Sequence, residues 1–138
     1  MTFDDYKNRG EEIEMTRSLG KSIDDHFATI LAFQVQLKVM HWGTDSYAEH
    51  KAYDKIYKAI QDRMDTLVES YQGYNGRIDF GCSMDVISFS NVDQDSWLRS
   101  IFECLNSMRN EVEQSDLQNQ IDELIASVSK LKYLLSLK

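Results

Sequence analysis

The sequence predicts an all-α four-helix bundle with a long crossover between its second and third helices, and three observations predict it. The chain has 138 residues and no proline. Proline lacks an amide hydrogen and its ring clashes with the preceding turn, so its absence leaves long helices uninterrupted. Four stretches carry apolar residues at helical spacing. Between the second and third of these, residues 73–92 alternate poorly and contain Gly73, Gly76 and Gly81. Such a connection is long enough to run the full length of a bundle.

The elements follow in order. Residues 1–20 form a polar arm in which Asp4, Asp5, Glu11, Glu12 and Glu14 face Lys7, Arg9 and Arg17. The arm is expected to be partly helical from Glu11, with Gly10 and Gly20 as breaks. Residues 21–138 form the bundle. Its first helix is expected over residues 22–42, where Ile23, Phe27, Ile30, Leu37 and His41 fall along one face. Leu31, Phe33, Val35, Val39 and Met40 widen the apolar surface beyond one stripe, which predicts burial against another subunit as well as in the core. After a turn at residues 43–46, a second helix is expected over residues 47–72. Its stripe is Tyr53, Ile56, Ile60, Met64, Leu67 and Tyr71. The crossover is expected to hold a short helix at residues 84–87. A third helix starts near Asp93 or Asp95 and buries Leu98, Ile101, Phe102, Leu105, Met108 and Val112. A fourth starts at Ser115, where Ser115 and Gln118 fit a capping box. It presents Leu117, Ile121, Leu124, Ile125, Val128, Leu131 and Leu135. The short junction near Gln114 makes the last two helices antiparallel neighbours. Two helices, a long connection and two more helices are the layout of a ferritin-like bundle.

Composition narrows the function. The net charge is -8 and no run of Lys or Arg stands out, so DNA binding and attachment to an anionic membrane are disfavoured. No apolar run is long enough to span a bilayer, and the N-terminus lacks a signal-peptide pattern. A cytoplasmic protein with reduced Cys82 and Cys104 is expected. There is no nucleophile motif, Gly-rich phosphate loop or redox C-x2-C.

The chemistry concentrates between His41 and Glu69, which read H-W-x7-H-x3-D-x10-D-x3-E. His50 and Asp54 lie one turn apart, as do Asp65 and Glu69, so each pair shares a helix face. Asp54 and Asp65 are eleven residues apart, on nearly the same face but roughly 16 Å apart along the axis. One metal centre cannot span that distance. If all these residues serve one centre, the second pair comes from another copy of the helix. A two-fold axis near Lys58 and Gln61 would bring the partner's acids opposite His50 and Asp54, giving two sites per dimer. Nitrogen and carboxylate ligands suit iron, zinc or manganese.

The L-x-x-x-H-W ending of the first helix, Leu37 to Trp42, followed by H-x3-D-x10-D-x3-E, resembles the Dps-type miniferritins. The resemblance implies that His41, His50 and Asp54 of one chain, with Asp65 and Glu69 of its two-fold mate, bind metal. It implies a ferroxidase that oxidises Fe(II), preferably with hydrogen peroxide, and stores the ferric mineral inside a dodecameric shell. Zinc or manganese would be substitutes for iron. Trp42, beside a ligand histidine, would take the catalytic role of giving up an electron and limiting radical escape, with Tyr53 and Tyr57 as weaker candidates. The two histidines here are nine apart, where the family places them twelve apart. The family's pore acids have no clear counterpart, and Asp116 and Asp122 are the candidates.

Plainer readings stand beside this one. Acids four apart on a helix are commonly a solvated face. His50 and Asp54 could form an intrahelical hydrogen bond, and His41 could cap a helix C-terminus. His26 is expected to be structural, Trp97 and Met108 core, and Glu103, Glu111, Glu113 and Glu123 surface. The alternative function is a ferritin-like oligomeric scaffold or partner-binding protein whose metal site is structural or degenerate.

Overall fold

A computed structural model describes residues 22–81 and 85–137. The polar arm, Cys82 and Met84 lie outside the described residues. Those described form four α-helices, α1 (Ile23–Gly43), α2 (Tyr47–Asn75), α3 (Gln94–Glu111) and α4 (Ser115–Ser136), with a 3-10 turn at Phe89–Asn91 and no strand.

Local chemistry sets most of the boundaries. Ser22 caps α1 through a capping box, its Oγ accepting from the Asp25 amide at 3.2 Å while Asp25 accepts from the Ser22 amide at 3.3 Å. Ser46 Oγ accepts from the Glu49 amide at 3.2 Å and starts α2. That helix runs three residues past the expected Gln72, through Gly73, to Asn75. Gly73 is exposed and costs only its conformational freedom. Gly76, with φ +83°, is the position that ends the helix.

Two local expectations fail. Residues 85–88 are irregular rather than helical, and the only helical turn between α2 and α3 among the described residues lies further on at Phe89–Asn91. The Ser115–Gln118 capping box does not form. Gln114 occupies the cap position without a side-chain bond, because the Gln118 amide instead donates to the Val112 carbonyl at 3.0 Å.

Contacts between side chains fix the directions. Arg109 pairs with Asp122 at 2.6 Å between α3 and α4. On the α2–α4 seam, Tyr74 donates to Asp116 and Gln120 donates to Ser70, while Arg63 reaches Ser127. Between α1 and α3, Phe33 lies 4.9 Å from Trp97 and His26 lies 3.6 Å from Glu111. Neighbouring helices are therefore antiparallel throughout, with α1 beside α2 and α3, and α4 beside the same two. The crossover climbs the bundle. It leaves near the start of α1, where the Asp79 amide donates to Asp24. Midway, the Gln36 amide group is bound at both ends by the Ile87 backbone, at 2.8 Å each. It arrives at the far end of α1, where a Cβ on Gly43 would sit 2.6 Å from Phe89.

The core is continuous between the four helices. Phe27, Leu37, Tyr53, Leu67, Met108, Leu117, Ile121, Leu124, Val128 and Leu131 are fully buried. The expected stripes are mostly buried, with Ile23, His41, Tyr71, Phe102, Ile125 and Leu135 half-buried. On α1, Leu31 and Val39 are half-buried and Val35 is exposed, so its widened apolar surface is only partly covered by the described residues.

Tyr53 carries an ionisable phenol into the interior. Its oxygen accepts from the Gln94 amide at 2.7 Å. Burial pushes its pKa up to about 12, against a smaller lowering by the Gln94 hydrogen bond. A raised pKa means the folded state holds the proton where the unfolded chain has lost it. The associated stability is complete below pH 10 and disappears as the pH rises through about 12. Tyr53→Phe should flatten this alkaline limb in urea melts at pH 9 to 12, at a cost of about 1 kcal/mol at neutral pH for the lost hydrogen bond. An unchanged limb would assign the alkaline loss to other groups.

Candidate functional site

The five proposed ligands lie along one side of the α1–α2 pair. His41 stands in the last turn of α1 and His50 in the first turn of α2. The three-residue turn between these helices brings the two rings into a stack, with centroids 3.8 Å apart and planes 19° from parallel. Each ring also binds the other residue's backbone. His41 Nδ1 lies 2.7 Å from the His50 carbonyl oxygen, and His50 Nδ1 lies 2.8 Å from that of His41. A carbonyl oxygen can only accept, so both Nδ1 atoms must donate. In the neutral rings this leaves each Nε2 with a lone pair. A donor bond from one nitrogen to a backbone carbonyl is also what usually orients a metal-binding imidazole. The nine-residue spacing therefore keeps His41 beside His50.

Asp54 follows one turn along α2 and is engaged by two ammonium groups. Lys58 Nζ is 3.0 Å from one carboxylate oxygen and Lys38 Nζ is 3.7 Å from the other. The Lys58 hydrogen bond holds the Asp54 pKa below the usual carboxylate value, helped by the charges of Lys58, His41 and Lys38 and opposed by partial desolvation. Asp54 is therefore ionised at neutral pH. Lys38 also lies 4.3 Å from the centre of the Tyr57 ring and 5.9 Å from that of Trp42. Trp42 itself is 72 % exposed.

Asp65 and Glu69 are exposed further down the same face of α2. Within one chain they do not approach the histidines. Among the described residues, no group of three or more His, Cys, Asp or Glu side chains could hold a metal ion. One chain thus carries two stacked histidines and a lysine-paired carboxylate at one end of the face, and two exposed acids at the other.

Lys38 and Lys58 are the site residues that the motif did not reveal. Lys58 was legible as the fourth residue after Asp54, the spacing of a helical ion pair. Lys38 reaches Asp54 from α1, a tertiary contact with no local signal. The candidate pore acids are both occupied within the chain, Asp116 by Tyr74 and Asp122 by Arg109. His26 is buried near the start of α1 at its seam with α3, facing Glu111. A cavity of about 310 Å³ between α1, the crossover and α3 has Phe33, Trp97 and Ile101 in its wall beside Gln36 and Asp93. It brings together no cluster of ligating groups.

A protein-family model described as a family of unknown function (DUF5856) matches residues 41–135, which include all five of these residues. An uncharacterized 14.6 kDa protein from the mobD-ri intergenic region of Enterobacteria phage T4 is 30% identical over 138 residues, spanning the whole of both chains. No solved structure matches.

Proposed function

We propose, from the premise that this chain belongs to the DUF5856 family of unknown function, that it binds and oxidises Fe(II) at a centre shared between two antiparallel copies of α2. The observation that carries this reading is the pair of imidazoles whose Nδ1 atoms are both committed to backbone carbonyls. Both Nε2 atoms thereby keep a lone pair, and ionised Asp54 lies one turn along α2 from His50. Asp65 and Glu69, exposed and three to four turns along the same face, have the spacing to complete the donor set from the second chain. Mixed nitrogen and carboxylate donors stabilise the ferric state while leaving positions for an oxidant such as hydrogen peroxide. The full-length crossover between α2 and α3 supports a ferritin-like, Dps-type arrangement. Trp42, next to His41 and largely exposed, is placed by this reading as an electron donor at the rim.

A second reading is favoured by a separate observation. Both oxygens of Asp54 face ammonium groups, and Val35 and Trp42 leave apolar area uncovered on α1. A ferritin-like scaffold that uses this face for assembly or for a protein partner, with a degenerate metal site, would show both features. Giving the apo-protein Fe(II) with substoichiometric peroxide and following iron and protein through size exclusion separates the two. Iron co-eluting with a large homo-oligomer, at many atoms per subunit, is the expected result and identifies storage. An oligomer that elutes without iron would transfer the assignment to the scaffold reading.

A further inference from the structure

We propose that Lys58 is a displaceable latch on Asp54, holding the carboxylate in the isolated chain and releasing it to metal when a second copy docks. The proposal rests on the shared-site reading above and concerns how that site is switched on. Its first basis is steric and electrostatic. Lys58 and Lys38 each occupy one oxygen of Asp54, so an arriving cation must remove at least one ammonium group. The two lysines differ in what holds them. Lys38 is 28% exposed and rests against the Tyr57 ring, so it keeps a partner when Asp54 is withdrawn. The Lys58 side chain is 70% exposed and follows whichever carboxylate is nearer.

The second basis is the charge order along α2. Its first half carries Lys51, Lys55 and Lys58 against Glu49 and Asp54, a net charge of +1, and its second half carries Asp62, Asp65 and Glu69 against Arg63, a net charge of -2. A two-fold axis near Lys58 and Gln61 lays the net-positive half of each copy on the net-negative half of the other. Lys58 then approaches Asp62 of the partner subunit, an acid outside the proposed ligand set, and exchanges Asp54 for it. The same docking step that supplies the missing ligands thus removes the group that blocks Asp54. Metal affinity becomes coupled to assembly, and a lone subunit does not scavenge metal.

The test is a Co(II) absorption titration of the full chain as wild type, Lys58→Met and His50→Ala, at several protein concentrations, with sedimentation recording the oligomer. Lys58 is exposed, so its replacement leaves the bundle folded. Removing a like charge a few ångströms from a dication should tighten Co(II) binding roughly ten-fold. It should also weaken the dependence of affinity on protein concentration, while His50→Ala loses binding. Unchanged or weaker Co(II) binding in Lys58→Met, with His50→Ala still defective, overturns the latch and leaves the shared site standing. Co(II) binding that is absent, or indifferent to both substitutions, overturns the shared site and the latch together.

Discussion

On the shared centre proposed above, Asp65→Asn should abolish Fe(II) oxidation and leave the bundle and its elution volume unchanged. The side chain is exposed on α2, and exposed substitutions of this kind shift stability by only about 0.5 kcal/mol either way. Its carboxylate is required only if another chain's His50 and Asp54 need it. Loss of an outer-shell partner alone typically costs roughly 10–100-fold in metal affinity or activity, so loss of a ligand should exceed that range. Stopped-flow absorbance would follow ferric product, with size exclusion run on the same samples. Full activity in the variant would remove Asp65 from the site. Intact chemistry with a broken oligomer would make it an assembly residue instead. Mixing Asp65→Asn with His50→Ala chains adds a sharper test. If the centre is shared across a two-fold axis, one site of each mixed dimer regains all five ligands and part of the activity returns.

The largest effect on stability should come from the middle of the core. Phe27 is fully buried and its ring centre lies 4.8 Å from that of Tyr71, tilted at 56°. Phe27→Ala removes a ring that no neighbour can replace and should cost about 3–5 kcal/mol. A domain of this size commonly has about 5–15 kcal/mol in total, so the melting temperature should fall by about 10 °C or more. Urea denaturation followed by circular dichroism would measure it. A loss under about 1 kcal/mol would mean that the α1 packing described above is not the packing in solution.

The helices were readable because each one repeats its apolar residues at a constant angle. In α4 the spacing of Leu117, Ile121, Leu124, Val128 and Leu131 identified the buried face without reference to any other element, and all five are buried. Where two interactions compete for one group, local rules lose their force. Gln118 could close a capping box or satisfy the Val112 carbonyl, and only the α3–α4 junction decides in favour of the latter. The crossover was legible as a connection but not in its detail, because its course is set by Gln36 and Gly43 on α1, distant in sequence. The candidate site divides the same way. Spacing alone placed His50, Asp54, Asp65 and Glu69 on one face of α2. The stacking of His41 on His50 and the arrival of Lys38 at Asp54 depend on how α1 meets α2 across the turn, which no period within either helix encodes.

The crossover has a further consequence for how this protein comes together. Residues 44–46 and 112–114 each join a helix to its antiparallel neighbour, so the chain is two short-range hairpins, α1–α2 and α3–α4. The α1–α3 and α2–α4 seams form only once these hairpins meet. Residues 76–93 are the covalent link between them, and their role before docking is that of a tether. A tether of this length keeps the second hairpin at an effective concentration on the order of millimolar around the first. Closing the bundle is therefore an intramolecular association, independent of how dilute the protein is.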